Sequence, residues 1–331
     1  MPRLDSSISI AGLKIPNRIV IPPIASEKTD NNGAITEKNL DHYKKLAASG
    51  AGLIIVEHSF VHPSGRYSKG QIGVHDDAML EGLEKLAAVF KDAGVVSCIQ
   101  ISHTGSRTKS EVIGRPLWAP SPVTCPQVKD AEVPEAMTKE QIAEIVESFG
   151  SAAARAKEAG FDSVEIHGAH GFLLSQFLSP LSNLREDEYG GSDENRSRIH
   201  FEVIQEVRKQ VGPDYPVFMR LGACDDMEGG LELDCSVRLA PKLVKAGIDM
   251  LDVSGGLQGS RPSIKKEGYF SHFAEGIKAV VDIPVMTTGG IKTAKAADEL
   301  VKGGSADLIG VARTIMANPN WPREALQKIL T

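Results

Sequence analysis

Apolar and polar positions along this chain change period in a regular way. Short stretches at 18–22, 53–57, 95–101, 163–167, 217–221, 250–254, 285–287 and 308–311 are apolar at every second position or nearly throughout, the pattern of half-buried or buried β-strands. Between them, apolar residues recur three and four apart at 38–49, 79–92, 139–159, 196–210, 233–246, 272–280, 293–302 and 322–330, which predicts amphipathic helices. A polar–apolar alternation through Ile8, Ile10, Leu13 and Ile15 predicts a small hairpin ahead of the first strand. Eight strands therefore alternate with eight helices.

Several of these helices leave by one phrase: Ala-Ser-Gly-Ala-Gly at 48–52, Asp-Ala-Gly-Val at 92–95, Glu-Ala-Gly-Phe at 158–161, Lys-Ala-Gly-Ile at 245–248 and Lys-Gly-Gly-Ser at 302–305. A glycine there takes the left-handed cap conformation, and a buried strand follows within a few residues. Eight such units, with no break in composition that marks a linker, predict an α/β fold: a single (β/α)8 TIM barrel over residues 1–331, with a short N-terminal hairpin and a long loop after strand three. An open doubly wound sheet is the alternative; the lack of G-x-G-x-x-G after the first strand counts against it. The longest insertion, 102–138, is rich in Pro, Ser and Thr. Loops of that length in compact domains usually serve a site, so it is expected to shape the entrance to a pocket.

Composition narrows the class. Of 331 residues 41% are hydrophobic and 24% charged, ordinary for a soluble globular protein. A net charge of −6 argues against nucleic acid or an anionic membrane as partner. No apolar stretch approaches the roughly 20 residues of a membrane span, and no basic leader opens the chain, so a cytoplasmic location is expected. Cys98, Cys125, Cys224 and Cys235 lack C-x-x-C spacing, so neither disulfides nor zinc or iron–sulfur sites are expected.

In a barrel of this kind, chemistry gathers where the strands end. The ends collect Pro22, Pro23, Ile24 and Ala25; Glu57 and His58; Gln100 with His103 nearby; His167 and His170; Arg220; Gly289 and Gly290; and Gly310 through Arg313. Small residues in TTGGIKTA and IGVARTIMA let backbone N–H groups face an anion, with Arg313 adding a cation. Arg220, at the end of VFMRL, is a costly buried charge that calls for an electron-rich partner.

The densest chemistry lies in 163–198, where strand four ends at His167 and Gly168 and Gly171 bracket His170, so that both imidazoles can point into one space. Structural histidines, or an H-x-x-H metal site completed by Glu165, His58 or His103, are the competing readings. No H-E-x-x-H motif or Cys-rich ligand cluster supports metal. Beyond it, Asn183, Arg185, Asp187, Tyr189, Gly190, Gly191, Glu194, Asn195 and Arg196 form a loop suited to locking by charge-assisted hydrogen bonds.

The stretch HGAHGFLLSQFLSPLSNLREDEYGGSDENRSR resembles, nearly residue for residue, the signature of the Old Yellow Enzyme family of FMN-dependent ene-reductases and NADH:flavin oxidoreductases, and is closest to its short, single-domain bacterial type. The resemblance implies an FMN enzyme that oxidises NADH or NADPH and passes hydride to the β-carbon of an activated alkene, or to a quinone-like small-molecule acceptor, in a ping-pong cycle. By position it implies backbone contact of Pro22, Pro23, Ile24 and Ala25 with the flavin ring, His58 beside it, Gln100 on the pyrimidine, Arg220 at N1, and Gly290, Ala312 and Arg313 on the phosphate. It gives His167 and His170 the catalytic role of binding the acceptor's oxygen, and is compatible with a homo-oligomer. Two departures stand out. Phe172 replaces the usual tyrosine proton donor, leaving Tyr67 and Tyr269 as candidate acids in the substrate site, or a different reaction altogether. Ala25 replaces a cysteine or threonine that tunes the flavin potential. A phosphate-dependent isomerase or aldolase would need a strand-end lysine or a metal-bound base, and a purely flavin-binding barrel would not oxidise NAD(P)H.

Overall fold

The computed structural model describes residues 1–260 and 266–330. Eight parallel strands close into one barrel: Ile19–Ile21 (β1), Leu53–Phe60 (β2), Val96–Ser102 (β3), Ser163–Gly168 (β4), Val217–Gly222 (β5), Met250–Ser254 (β6), Val285–Thr287 (β7) and Leu308–Gly310 (β8). Each pairs with its neighbours in sequence, and β8 returns to β1 through Ile309 beside Ile19. The main outer helices are Glu37–Ala47 (α1), Leu80–Ala93 (α2), Lys139–Glu158 (α3), Asp193–Val211 (α4), Leu233–Ala246 (α5), Ser271–Lys278 (α6), Ala294–Lys302 (α7) and Trp321–Leu330 (α8). The glycines that end the repeated phrases, among them Gly94 (φ 64°) and Gly160 (φ 92°), take positive φ as the pattern predicts. No helix among the described residues is long and apolar enough to cross a membrane.

Strand periodicity sorts the core into two parts. Ile19, Ile21, Ile54, Val56, Ile99, Ile101, Val164, Ile166, Leu251 and Val253 face the helices in one large cluster. Val20, Leu53, Ile55, Cys98, Phe218, Met250, Met286 and Leu308 face inward and form a second. The N-terminal hairpin, Ile8–Ile10 with Leu13–Ile15, turns at Ala11 and Gly12, both at positive φ. It adds Ile10 and Ile15 to the inner cluster and so closes one end of the barrel. Two residues further along the inward face the side chains become polar: Gln100 after Cys98, Arg220 after Phe218 and Asp252 after Met250, with Glu165 on β4. This change of character sets the floor of the site.

The structure refines the sequence expectations at three places. α4 begins at Asp193 rather than 196, because Ser192 caps it by accepting from the Asn195 N–H at 3.2 Å. β2 runs on to Phe60 through a register shift against β3 between Val56 and Ser59, which lets neighbours face different ways. Glu57 thereby meets the Ser26 N–H at 2.7 Å and the Tyr43 hydroxyl at 3.3 Å, while His58 faces the barrel mouth. Three short helices, Ser110–Ile113, Leu173–Leu178 and Arg313–Ala317, are too brief for periodicity to reveal.

The signature loop after β4 is a staple. Arg185 grips Asp187 through two N–H groups (2.9 and 2.6 Å) and reaches the carbonyls of Pro120 and Met137 in the 102–138 insertion. Asn183 bonds the carbonyls of Phe177 and Tyr189, and Arg196 that of Leu178. A methyl group at Gly190 would stand 2.0 Å from the Arg185 carbonyl oxygen, so only glycine lets this loop close. None of these residues enters the barrel mouth.

Candidate active site

A cavity of about 730 Å³ opens at the C-terminal ends of the strands, within the size range of small-molecule and cofactor sites. Pro22, Pro23, Ile24, Ala25, His58, Tyr67, Gln100, His167, His170, Phe172, Arg220, Tyr269, Gly290, Ala312 and Arg313, all anticipated from sequence, line it together. His103 does not reach it: fully buried, it contacts the Ser64 hydroxyl through Nε2 at 3.0 Å and accepts from the Gly105 N–H through Nδ1. Arg107, Gln127, Gln258 and Lys292 join the lining from loops that strand-end reasoning does not cover.

The floor is ionic. Arg220 and Asp252, paired in register across β5 and β6, approach to 3.0 Å, and Gln100 donates to Glu165 at 2.7 Å. The electron-rich partner that a buried Arg220 calls for is present in the protein itself as Asp252. Burial raises the carboxyls of both Glu165 and Asp252 above the usual range; Asp252 reinforces the rise at Glu165, and Arg220 moderates both. One Glu165 oxygen and both Asp252 oxygens have no hydrogen-bond donor among the described residues.

Above the floor stand the imidazoles. The rings of His167 and His170 lie 5.2 Å apart at 74°, and Phe172 covers His167 at 4.4 Å. His170 has a left-handed backbone (φ 59°), which points its side chain back toward its neighbour. Its Nε2 lies 2.7 Å from the Ser254 hydroxyl, leaving Nδ1 as the nitrogen open to a ligand; His167 has no hydrogen-bond partner among the described residues. Burial, with the Arg220 charge nearby, holds both well below the ordinary histidine range, so both are neutral near pH 7. Burial holds His58 at about 4, and Gln71 donates to its Nδ1 at 2.7 Å, which places the proton on Nε2. The Gln71 amide is oriented by the Tyr67 N–H, which donates to its oxygen at 2.6 Å.

The two tyrosines occupy different ends. Tyr67 packs against His58 at 5.3 Å and Phe172 at 5.8 Å, beside the imidazoles. Tyr269 donates to the Ser260 carbonyl at 2.9 Å, and its ring lies under the Gly289–Gly290 turn. There Gly289 and Gly290 adopt φ of 128° and 66°, and a Cβ on Gly290 would meet the Tyr269 ring at 2.9 Å. The N–H groups of Gly290, Ala312 and Arg313 have no acceptor among the described residues. This end, with Arg313 and Lys292, could hold a phosphate; Arg220 and Gln100 at the other end could meet a polar ring edge. The residues present therefore fit FMN.

An NADPH dehydrogenase of Halalkalibacterium halodurans is 41% identical over 99% of this chain and 95% of its own length. An NADH oxidase of Thermoanaerobacter brockii is 38% identical over 98% of this chain but only 50% of its own, so the chain spans about half of that relative. A solved Old Yellow Enzyme homologue from Zymomonas mobilis superposes with a TM-score of 0.87 at 26% identity over 99% of this chain and 93% of its own. The family profile of the NADH:flavin oxidoreductases and NADH oxidases matches residues 5–331, and the chain belongs to that family.

Proposed function

We propose that this FMN-dependent oxidoreductase takes hydride from NAD(P)H and delivers it to an activated alkene, or to a quinone-like acceptor, whose oxygen lies against His167 and His170. FMN, when bound, supplies the hydride-carrying ring. The rest is done by the chain. Pro22, Pro23, Ile24 and Ala25 give the ring a backbone shelf, Gln100 and Arg220 meet its polar edge, and Gly290, Ala312 and Arg313 hold its phosphate. As hydride reaches the β-carbon, negative charge gathers on the acceptor's oxygen. Two neutral imidazoles already facing the pocket donate N–H groups to it, and donors held in place before the reaction act most strongly on developing charge.

The donor atoms follow from their partners. With Nε2 against Ser254, His170 can donate only through Nδ1, which requires the Ser254 hydroxyl to donate to Nε2. Phe172 has no proton to give, and Tyr67, whose ring touches both Phe172 and His58, is the acid placed to protonate the α-carbon. Tyr269, committed to Ser260 beneath the glycine turn, is not. The reading rests on one observation above all: a single cavity joins a neutral histidine pair to an anion-ready glycine turn across a charged floor. Purified enzyme should show the flavin absorption band near roughly 450 nm and oxidise NAD(P)H with cyclohexenone. A colourless protein that ignores added FMN refutes the proposal.

A further inference from the structure

Four cations line the cavity, and no aspartate or glutamate does among the described residues. Arg220 is answered by Asp252 beneath it, and Lys292 and Arg313 stand at the glycine end. Of the two cations beside the imidazoles, Arg220 and Arg107, it is Arg107 that has no carboxylate partner among the described residues. It forms no ion pair with any described residue, although burial is strong enough to depress its pKa. One of its N–H groups is used on the His170 carbonyl; its other donors are without partners among the described residues. Its guanidinium carbon lies 5.6 Å from the centre of the Phe172 ring, which itself covers His167.

The cation is also fixed in place. The 103–108 turn that carries it is bound at nearly every residue: the Thr104 N–H to the Gly65 carbonyl (3.0 Å), the Ser106 N–H to Gln176 (3.2 Å), and the Thr108 hydroxyl to the Tyr67 carbonyl (2.9 Å). A half-buried guanidinium without a counter-charge among the described residues costs desolvation energy that a ligand carboxylate returns through charge-assisted hydrogen bonds.

We infer that Arg107 is the anion anchor of the acceptor half of the site, and that the preferred acceptors are activated alkenes carrying a carboxylate within a few bonds of the oxygen held by His167 and His170. This rests on the hydride-transfer reading above and adds the substrate class to it. A purely structural role for Arg107 is the competing account, since its bond to the His170 carbonyl also supports that residue's left-handed backbone.

The two accounts separate on a ligand pair of nearly equal shape: 3-oxocyclohex-1-enecarboxylate and its methyl ester. Dissociation constants are measured on oxidised, FMN-loaded enzyme from the shift of the flavin absorption. The wild type should bind the acid at least about tenfold more tightly than the ester, less so at high salt. Arg107→Gln should bring the ratio near one, and Arg107→Lys should keep part of the preference. A wild-type ratio near one overturns the inference, as does an Arg107→Gln enzyme that weakens acid and ester by the same factor. Because the ratio is read without turnover, failure of the hydride-transfer reading shows separately, as absent NAD(P)H oxidation.

Discussion

Ser254→Ala removes one oxygen from the floor of the site and forces a choice on His170. On the proposed reading the Ser254 hydroxyl, fully buried and 2.7 Å from Nε2, donates to that nitrogen and so keeps the proton on Nδ1, facing the acceptor. Without it the imidazole has two options. It can move its proton to Nε2, which leaves a lone pair toward the developing negative charge and forfeits a transition-state donor worth about 3–4 kcal/mol. It can instead keep Nδ1–H and leave Nε2 buried without a partner, at about 1–3 kcal/mol. The cheaper option governs, so the oxidative half-reaction should slow by about 5- to 150-fold. The assay mixes pre-reduced enzyme with cyclohexenone and follows the return of oxidised flavin, with reduction by NADPH as the control. Ser254→Thr, which keeps the hydroxyl on a β-branched residue suited to a strand, should recover most of the rate. An Ala variant within twofold of wild type, or one that slows both half-reactions equally, would refute the assignment of Nδ1 as donor.

Three further outcomes follow from the same geometry. Phe172→Tyr should raise cyclohexenone turnover about tenfold, and Tyr67→Phe should lower it by a similar factor, if a positioned acid limits the reaction; no change in either means that water protonates the α-carbon. Gly290→Ala, at φ 66° and 2.9 Å from the Tyr269 ring, should weaken FMN binding by about tenfold or more, read by quenching of FMN fluorescence, and retention of full affinity would show that the turn does not hold the phosphate. Burial raises Glu57 to about 7, so its stabilising contribution is full below about pH 4.5 and lost as pH rises through 7, whereas the depressed His58, His103 and His200 contribute above about 6.5 and fail as pH falls. Glu57→Gln should therefore lose less thermal stability than wild type between pH 6 and 9, by about 1.4 kcal/mol; a constant difference in melting temperature across that range contradicts the shift.

Much of this was legible in the chain because periodicity and strand ends are local properties. The strands expected at 217–221 and 250–254 appear as Val217–Gly222 and Met250–Ser254, and the residues expected at their ends converge on one cavity. Asp252 could also have been found: it shares the inward face of β6 with Met250, so an acid there had to meet something charged. Arg107 could not. Its position depends on a turn held by Gly65, Gln176 and Tyr67, contacts as many as 70 residues apart in sequence that no local pattern encodes. The same holds for Ser254 and His170, joined across 84 residues. The signature stretch was informative for a different reason, since most of its charged residues build the staple beside the mouth rather than the site itself.

The hairpin that seals the barrel's lower end turns the ionic floor into a blind well. With Ile10 and Ile15 packed across it from below, the fully buried Glu165 and Asp252 lie between an apolar plug and the cavity above. A ligand seated in that opening covers the two carboxyls, so its binding and their protonation are coupled.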